Sequence, residues 1–515
     1  MTTFLTILSL LSVALIIGMA ANRTMMTHVT TSARTDAHTQ FLELLRLLEP
    51  AVELSNESDL AFWRSRACLP PEAGDDDVET RAKRAAQNPE ILGALSQLMR
   101  KLGQLPPLEA AIVRRLHECC VRDTALTPDF MERQTRAVKT ASTAWRQAVD
   151  SGNFSLVVSA LGAVFDLARQ EGLTRAGREH WNDSLYDQLV GTWEPGSIDT
   201  RAGLVQLRNI AKWHSQRFAT GDTGQVPDPL PTITYDHGRQ DIFCRKLVGD
   251  VGFDLARGDF RLCDVSYAVT GGPNDVKVLA RYSDSSPLRG IFATLQEGFH
   301  GTLMQGVPDT VRMAITSAYK VSMAIHEAVA EIGSSRLGRS REFWVDQYPK
   351  LQQTFPELNS VSFDDFYTHI SDRNRQASHA FLSTLAVVEI ELQMLSRRIT
   401  ARDIPRVYGD LVEAWTGSRP TEASVIQVAK LWCDGMIGYR YAALLADLAT
   451  PQLWAKFQED CPDYAVEFSS GDFSALHRWL SSNVFPIAYT ASLDEVLLAA
   501  TGRPLSAEYA RHIWQ

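Results

Sequence analysis

Cysteine is scarce in this chain of 515 residues. The seven present, Cys68, Cys119, Cys120, Cys244, Cys263, Cys433 and Cys461, are odd in number, irregularly spaced and without a C-x-x-C pair. That argues against a disulfide framework and against a cysteine-rich metal site. Positive charge is also short: the formal net charge is -10 and no basic stripe stands out, so no nucleic acid is expected as a partner. Internal repeats and low-complexity tracts are absent, and alternating strand patterns are few. What remains is 45% hydrophobic and 22% charged residues, ample material for a large packed core. The acidic run Glu72 to Glu79 (EAGDDDVE) fits a solvated loop.

One long uncharged run exists, Phe4 to Ala21, followed at once by Arg23. Its length is near the minimum for a bilayer span, and no positive residue precedes it. Residues 1-30 are therefore expected to be a hydrophobic segment that anchors the protein in a membrane. The alternative is a cleaved signal that leads to a secretory lumen or to secretion. In that setting the sequons at Asn22, Asn56, Asn153 and Asn182 would be glycosylation acceptors.

The body is mainly α. Segments such as FLELLRLLEPAVEL, EILGALSQLMRKLGQL and AFLSTLAVVEIELQMLSRRI repeat apolar residues at three- and four-residue steps. The Pro- and Gly-rich stretch Gly221 to Gly238 is the clearest break, which predicts an N-terminal helical lobe over 36-220 and a second, site-bearing lobe over 239-515. DVKVLAR, Asp275 to Arg281, is the best strand candidate, so the β element should be very small.

The stretch LQEGFHGTLMQ carries the question of function. Zinc peptidases use H-E-x-x-H, because two histidines four apart share a helix face while the glutamate serves as general base. Here the motif is QEGFH, with Gln296 in the first position, then Glu297 and His300. A third ligand is available downstream in MAIHEAVAEIG, where Glu327 follows His326.

Other islands give that fragment a context. Trp63 with Leu69-Pro70-Pro71, Tyr186-Asp187 with Glu194-Pro195-Gly196, VGFDLARGDFRLCDVS, GPNDVKVLARY, IHEA with GRSREFW, and ATGRPLSAEY occur in one order along the chain. Over residues 38 to 515 the sequence resembles the Taq-type, thermostable zinc metallocarboxypeptidases. The resemblance implies a two-lobed helical fold with a deep groove, zinc-dependent removal of C-terminal residues from peptides, and a possible homodimer. It also implies Gln296, His300 and Glu327 at the metal positions and Glu297 at the general base.

The rest of the family's motif set departs further. Tyr267-Ala268-Val269 stands at its His-Pro-Phe motif, and Asp275 and Lys277, with Leu279, stand at its DxRxT. Asn374 replaces the substrate-holding arginine, between Arg373 and Arg375. Trp432 is kept where Leu431 replaces a histidine. Glutamine is a poorer zinc ligand than imidazole, and aliphatic replacements suit an apolar ligand better than a peptide terminus. The leading expectation is therefore a repurposed, non-peptidase enzyme that acts on an apolar small molecule, with no metal cofactor. Its catalytic groups would be Glu297, His300, Glu327 and Tyr267, and its binding groups Asp275, Lys277, Arg373, Arg375 and Trp432. The alternatives are an atypical zinc carboxypeptidase binding a peptide C-terminus and an inactive scaffold. In the first of these, Gln296, His300 and Glu327 hold the metal.

Overall fold

The computed structural model describes residues 36-509 apart from 68, 71, 73, 75-77, 197, 221-227, 264, 273 and 315-320. The fold is mainly α, as the helical periodicity predicts. Eight elements position the site: α1 (36-66), β1 (Gly258–Cys263), β2 (Tyr267–Thr270), β3 (Val276–Arg281), α2 (Pro287–Gly306), α3 (Met323–Glu331), α4 (Phe363–Leu395) and α5 (Tyr439–Asp460). The sheet is larger than the one expected strand. Its order is β1-β3-β2, with β1 parallel to β3 and β2 antiparallel to it.

The apolar side chains gather into two cores. One joins residues of α1 and of the helices Pro89–Met99 and Pro107–Thr124 to the sheet, α2, α3 and the C-terminal helices. The other joins Ala141 to Ala211 with α4 and the segment from Ala401 to Leu448. The cores thus interleave along the chain and do not follow a division between 220 and 239: α1 packs with the sheet region, because its buried stripe of Phe41, Leu44 and Leu48 completes that core. α5 is shared, with Tyr441, Leu444 and Leu448 in one core and Ala442, Ala446 and Ala449 in the other.

The expected membrane anchor has no support in the structure. Among the described residues no helix is long and apolar enough to cross a membrane, and the run from Phe4 to Ala21 lies outside them.

Candidate functional site

α2 begins with Pro287 in its first turn, where a missing N–H costs nothing, and carries Gln296 and His300 one turn apart on one face. It lies close to the sheet because Gly301 has no side chain: a Cβ there would sit 2.7 to 2.8 Å from Phe253 and Val278. α3 brings in Glu327. Its start is fixed by Ser322, whose hydroxyl caps Ile325 N and donates to Glu194 at 2.6 Å. The Glu194 carboxylate also accepts from Ala324 N at 3.3 Å and Leu493 N at 3.3 Å, so a buried acid ties three segments together at the head of α3.

Where α3 ends, the chain widens into a π-helical turn, Ile332–Arg336. Such turns re-aim side chains that a regular helix would place elsewhere. Here the turn presses against α2, with Gly333 packed so closely on Phe299 that a Cβ would clash. It also delivers Ser334 to Gln296, Oγ donating to Oε1 at 2.5 Å.

The functional side chains converge across α2, α3 and α5. Gln296 Nε2 donates to Glu327 Oε2 at 3.3 Å, and His300 Nε2 lies 3.9 Å from the same oxygen. From the other side Tyr439 Oη donates to Glu327 Oε1 at 2.5 Å, with Trp193 packed edge-on at 5.6 Å against its ring. Burial, followed by the charge of Glu327, pushes the Glu297 carboxyl up to about 8. Burial holds the His300 imidazole below its ordinary value despite the opposing pull of Glu327. His326 stacks on His300 at 5.6 Å, and burial, then His300, pushes it down to about 3. Both imidazoles are thus neutral at pH 7, the form in which a ring nitrogen binds a metal.

The donors present are one neutral imidazole, one carboxylate and one amide. Among the described residues no three His, Cys, Asp or Glu side chains come together as a metal site, and beside His300 and Glu327 the candidate third protein donor is the amide oxygen of Gln296. The amide can turn without losing Ser334, since a hydroxyl accepts as well as donates. The set fits a divalent ion, bound less tightly than by two imidazoles.

The other sequence-predicted residues are placed differently. Tyr267, on β2, is 48% exposed with its ring 4.6 Å from Phe62. Its phenol is held above its ordinary value by local burial first, then by the charges of Asp59 and Glu297. Asp275 and Lys277 form an ion pair with each other, and Lys277 Nζ lies 5.2 Å from the centre of the Trp63 ring. Arg373 and Arg375 lie on α4, with side chains outside the described ones. Trp432 is wholly buried: it donates to Glu391 Oε1 at 2.8 Å and packs edge-on against Phe165.

Tyr439 and Ser334 are contacts that sequence reasoning misses. They lie 112 and 38 residues from their partners, and no local spacing announces them.

Comparison with known proteins gives the family and the fold. The profile of the carboxypeptidase Taq (M32) metallopeptidases matches residues 51–514. Carboxypeptidase 1 of Bacillus subtilis is 23% identical over 493 residues, covering 92% of this chain and 97% of the relative. Thermostable carboxypeptidase 1 of Pyrococcus furiosus is 25% identical over 438 residues, covering 82% and 86%. The solved M32 carboxypeptidase of Deinococcus radiodurans R1 superposes with a TM-score of 0.81 at 21% identity, over 92% of this chain and 98% of that one. A Pyrococcus furiosus carboxypeptidase structure gives 0.82 at 21% identity, over 92% and 98%.

These matches overturn the leading expectation from sequence. A non-peptidase enzyme on an apolar small molecule, without a metal, conflicts with a metallopeptidase profile over nearly the whole chain. The physical reason for the error lies in Val269 and Leu279. They do not testify to an apolar ligand cavity, for both are buried with Trp63 in a small core over the sheet, where they serve packing. With the profile match over residues 51–514 and the convergence of Glu297, His300 and Glu327, this chain belongs to the carboxypeptidase Taq (M32) metallopeptidase family.

Proposed function

We propose that the protein is a metal-dependent carboxypeptidase that removes C-terminal residues from peptides. The observation that carries this reading is the meeting of His300 and Glu327 at 3.9 Å beside Glu297, in a chain that matches a metallopeptidase family. A divalent ion held by His300, Glu327 and the Gln296 amide would supply Lewis-acid polarisation and an acidified water. Glu297 is the general base. Burial raises its carboxyl to about 8, so it is the ionised form, which a cation bound beside it would favour, that takes a proton from the attacking water and returns it to the leaving amine. Tyr439 fixes one Glu327 oxygen by its hydrogen bond and leaves the other directed at His300 and Gln296. Tyr267, beside Glu297 in charge range, is the candidate donor to the oxyanion.

The test is release of free C-terminal amino acid from N-blocked peptides by the purified chain supplied with zinc, manganese or cobalt. Glu297→Gln should reduce the rate by about 10²- to 10⁴-fold with bound metal unchanged. Absence of release with every metal, or an unimpaired Glu297→Gln variant, would refute the reading.

A further inference from the structure

The Glu327 carboxylate divides its two oxygens between different tasks. Tyr439 Oη donates to Oε1 at 2.5 Å, whereas Oε2 faces Gln296 Nε2 at 3.3 Å and His300 Nε2 at 3.9 Å. That division depends on where the Tyr439 ring is held. Tyr439 opens α5 directly after Gly438, a left-handed position with φ +88°, so the phenol leaves a tight turn whose backbone sets its direction.

One residue meets both ends of this hydrogen bond. The indole N–H of Trp193 donates to Ile437 O at 2.8 Å, in the turn, and its ring packs edge-on against Tyr439 at 5.6 Å and 87°. Its carbonyl accepts from Met323 N at 2.8 Å, at the first residue of α3, the helix that carries Glu327. Trp193 is itself a fixed post. Its backbone N–H donates to Val190 O at 2.7 Å, and the neighbouring Glu194 carboxylate holds Ser322 Oγ, Ala324 N and Leu493 N. The turn is pressed onto the same segment, since a Cβ on Gly438 would lie 3.0 to 3.2 Å from the backbone of Leu189 and Val190. Side chain and backbone of one tryptophan thus register α5 against α3.

We propose that Trp193 is a positioning residue that acts through Tyr439: it keeps Glu327 to one free oxygen and so sets which ion the site prefers. This rests on the metal-dependent reading. With Oε1 engaged, the site offers one imidazole, one carboxylate oxygen and one amide oxygen, the three protein donors of a catalytic zinc centre. With Tyr439 loose, Glu327 can offer both oxygens, and an oxygen-rich set of higher coordination suits manganese or calcium.

The experiment titrates zinc and manganese into the full chain, freed of metal, against a chelating dye of known affinity for each, with the melting temperature read alongside. Tyr439→Phe should weaken zinc binding by roughly 10- to 100-fold, the usual effect of losing an outer partner of a ligand, and lower the zinc-to-manganese affinity ratio. Trp193→Leu should move both in the same direction. In the Tyr439→Phe background it should add less than about twofold, because only independent sites combine additively in free energy. A lowered melting temperature with zinc affinity and ratio unchanged overturns the proposal, and so do losses that simply add. If Trp193→Leu fails to fold, Trp193→Phe, which keeps a ring and loses the N–H, decides: a lowered ratio supports the proposal, and a native ratio overturns it. A native chain that binds neither ion sinks the metal-dependent reading, and the proposal with it. Native binding that Tyr439→Phe weakens and the Trp193 variants leave intact sinks the role of Trp193 alone, and native binding indifferent to Tyr439→Phe overturns the proposal at its link.

Discussion

Replacing Gln296 with histidine should convert a weak metal site into a strong one. The amide makes two hydrogen bonds, to Glu327 Oε2 at 3.3 Å and from Ser334 Oγ at 2.5 Å, together contributing about 1–3 kcal/mol net. An imidazole at the same place keeps Ser334 on one ring nitrogen and turns the other toward Glu327 and His300. The burial that keeps His300 neutral acts on the new ring too, so no proton has to be displaced at neutral pH. Because the change is to a direct donor, zinc affinity should rise by more than the ~10–100-fold that outer-shell partners command. Competition between the metal-free protein and a zinc-binding dye of known affinity reads this directly. If Gln296→His remains folded and takes zinc within about threefold of the native chain, a difference under ~1 kcal/mol, Gln296 is not a donor and the site assignment is refuted.

Two further predictions concern the scaffold. Burial pushes the Glu391 carboxyl up to about 7 against the hydrogen bonds of Tyr186, Trp432 and Gly438, so the folded state holds its proton more tightly than the unfolded chain. The associated stability is present below the unfolded value of 4.5 and is lost as pH rises to about 7, a decline of up to roughly 3 kcal/mol. Denaturant unfolding across that range should show the decline in native protein and a shallower one in Glu391→Gln; identical slopes would contradict the assignment. Gly301→Ala forces a methyl against Phe253 and Val278 and should destabilise by about 1–3 kcal/mol, lowering zinc content as His300 shifts. An unchanged melting temperature would mean that α2 moves freely on the sheet.

Much of the site is legible in the amino-acid sequence. Gln296, Glu297 and His300 sit at helical spacing in one short stretch, and α-periodicity carries such neighbours onto one face whatever the tertiary packing. Glu327 stands out because its own island of sequence has a pattern. Trp432 misleads for the opposite reason: an isolated tryptophan looks the same in sequence whether it faces a ligand or, as here, anchors the buried carboxylate of Glu391. Val269 and Leu279 mislead in the same way, since an aliphatic side chain does not say which surface it covers.

The sequence by itself determined the helical class, the family and the candidate residues Glu297, His300 and Glu327 on α2 and α3, because each depends on residues close together in the chain. Tertiary structure alone decided that Tyr439 holds Glu327 and that Ser334 holds Gln296. Those arrangements bring together segments far apart in sequence, chosen by close packing of two interleaved cores, and no local pattern of spacing or polarity encodes them.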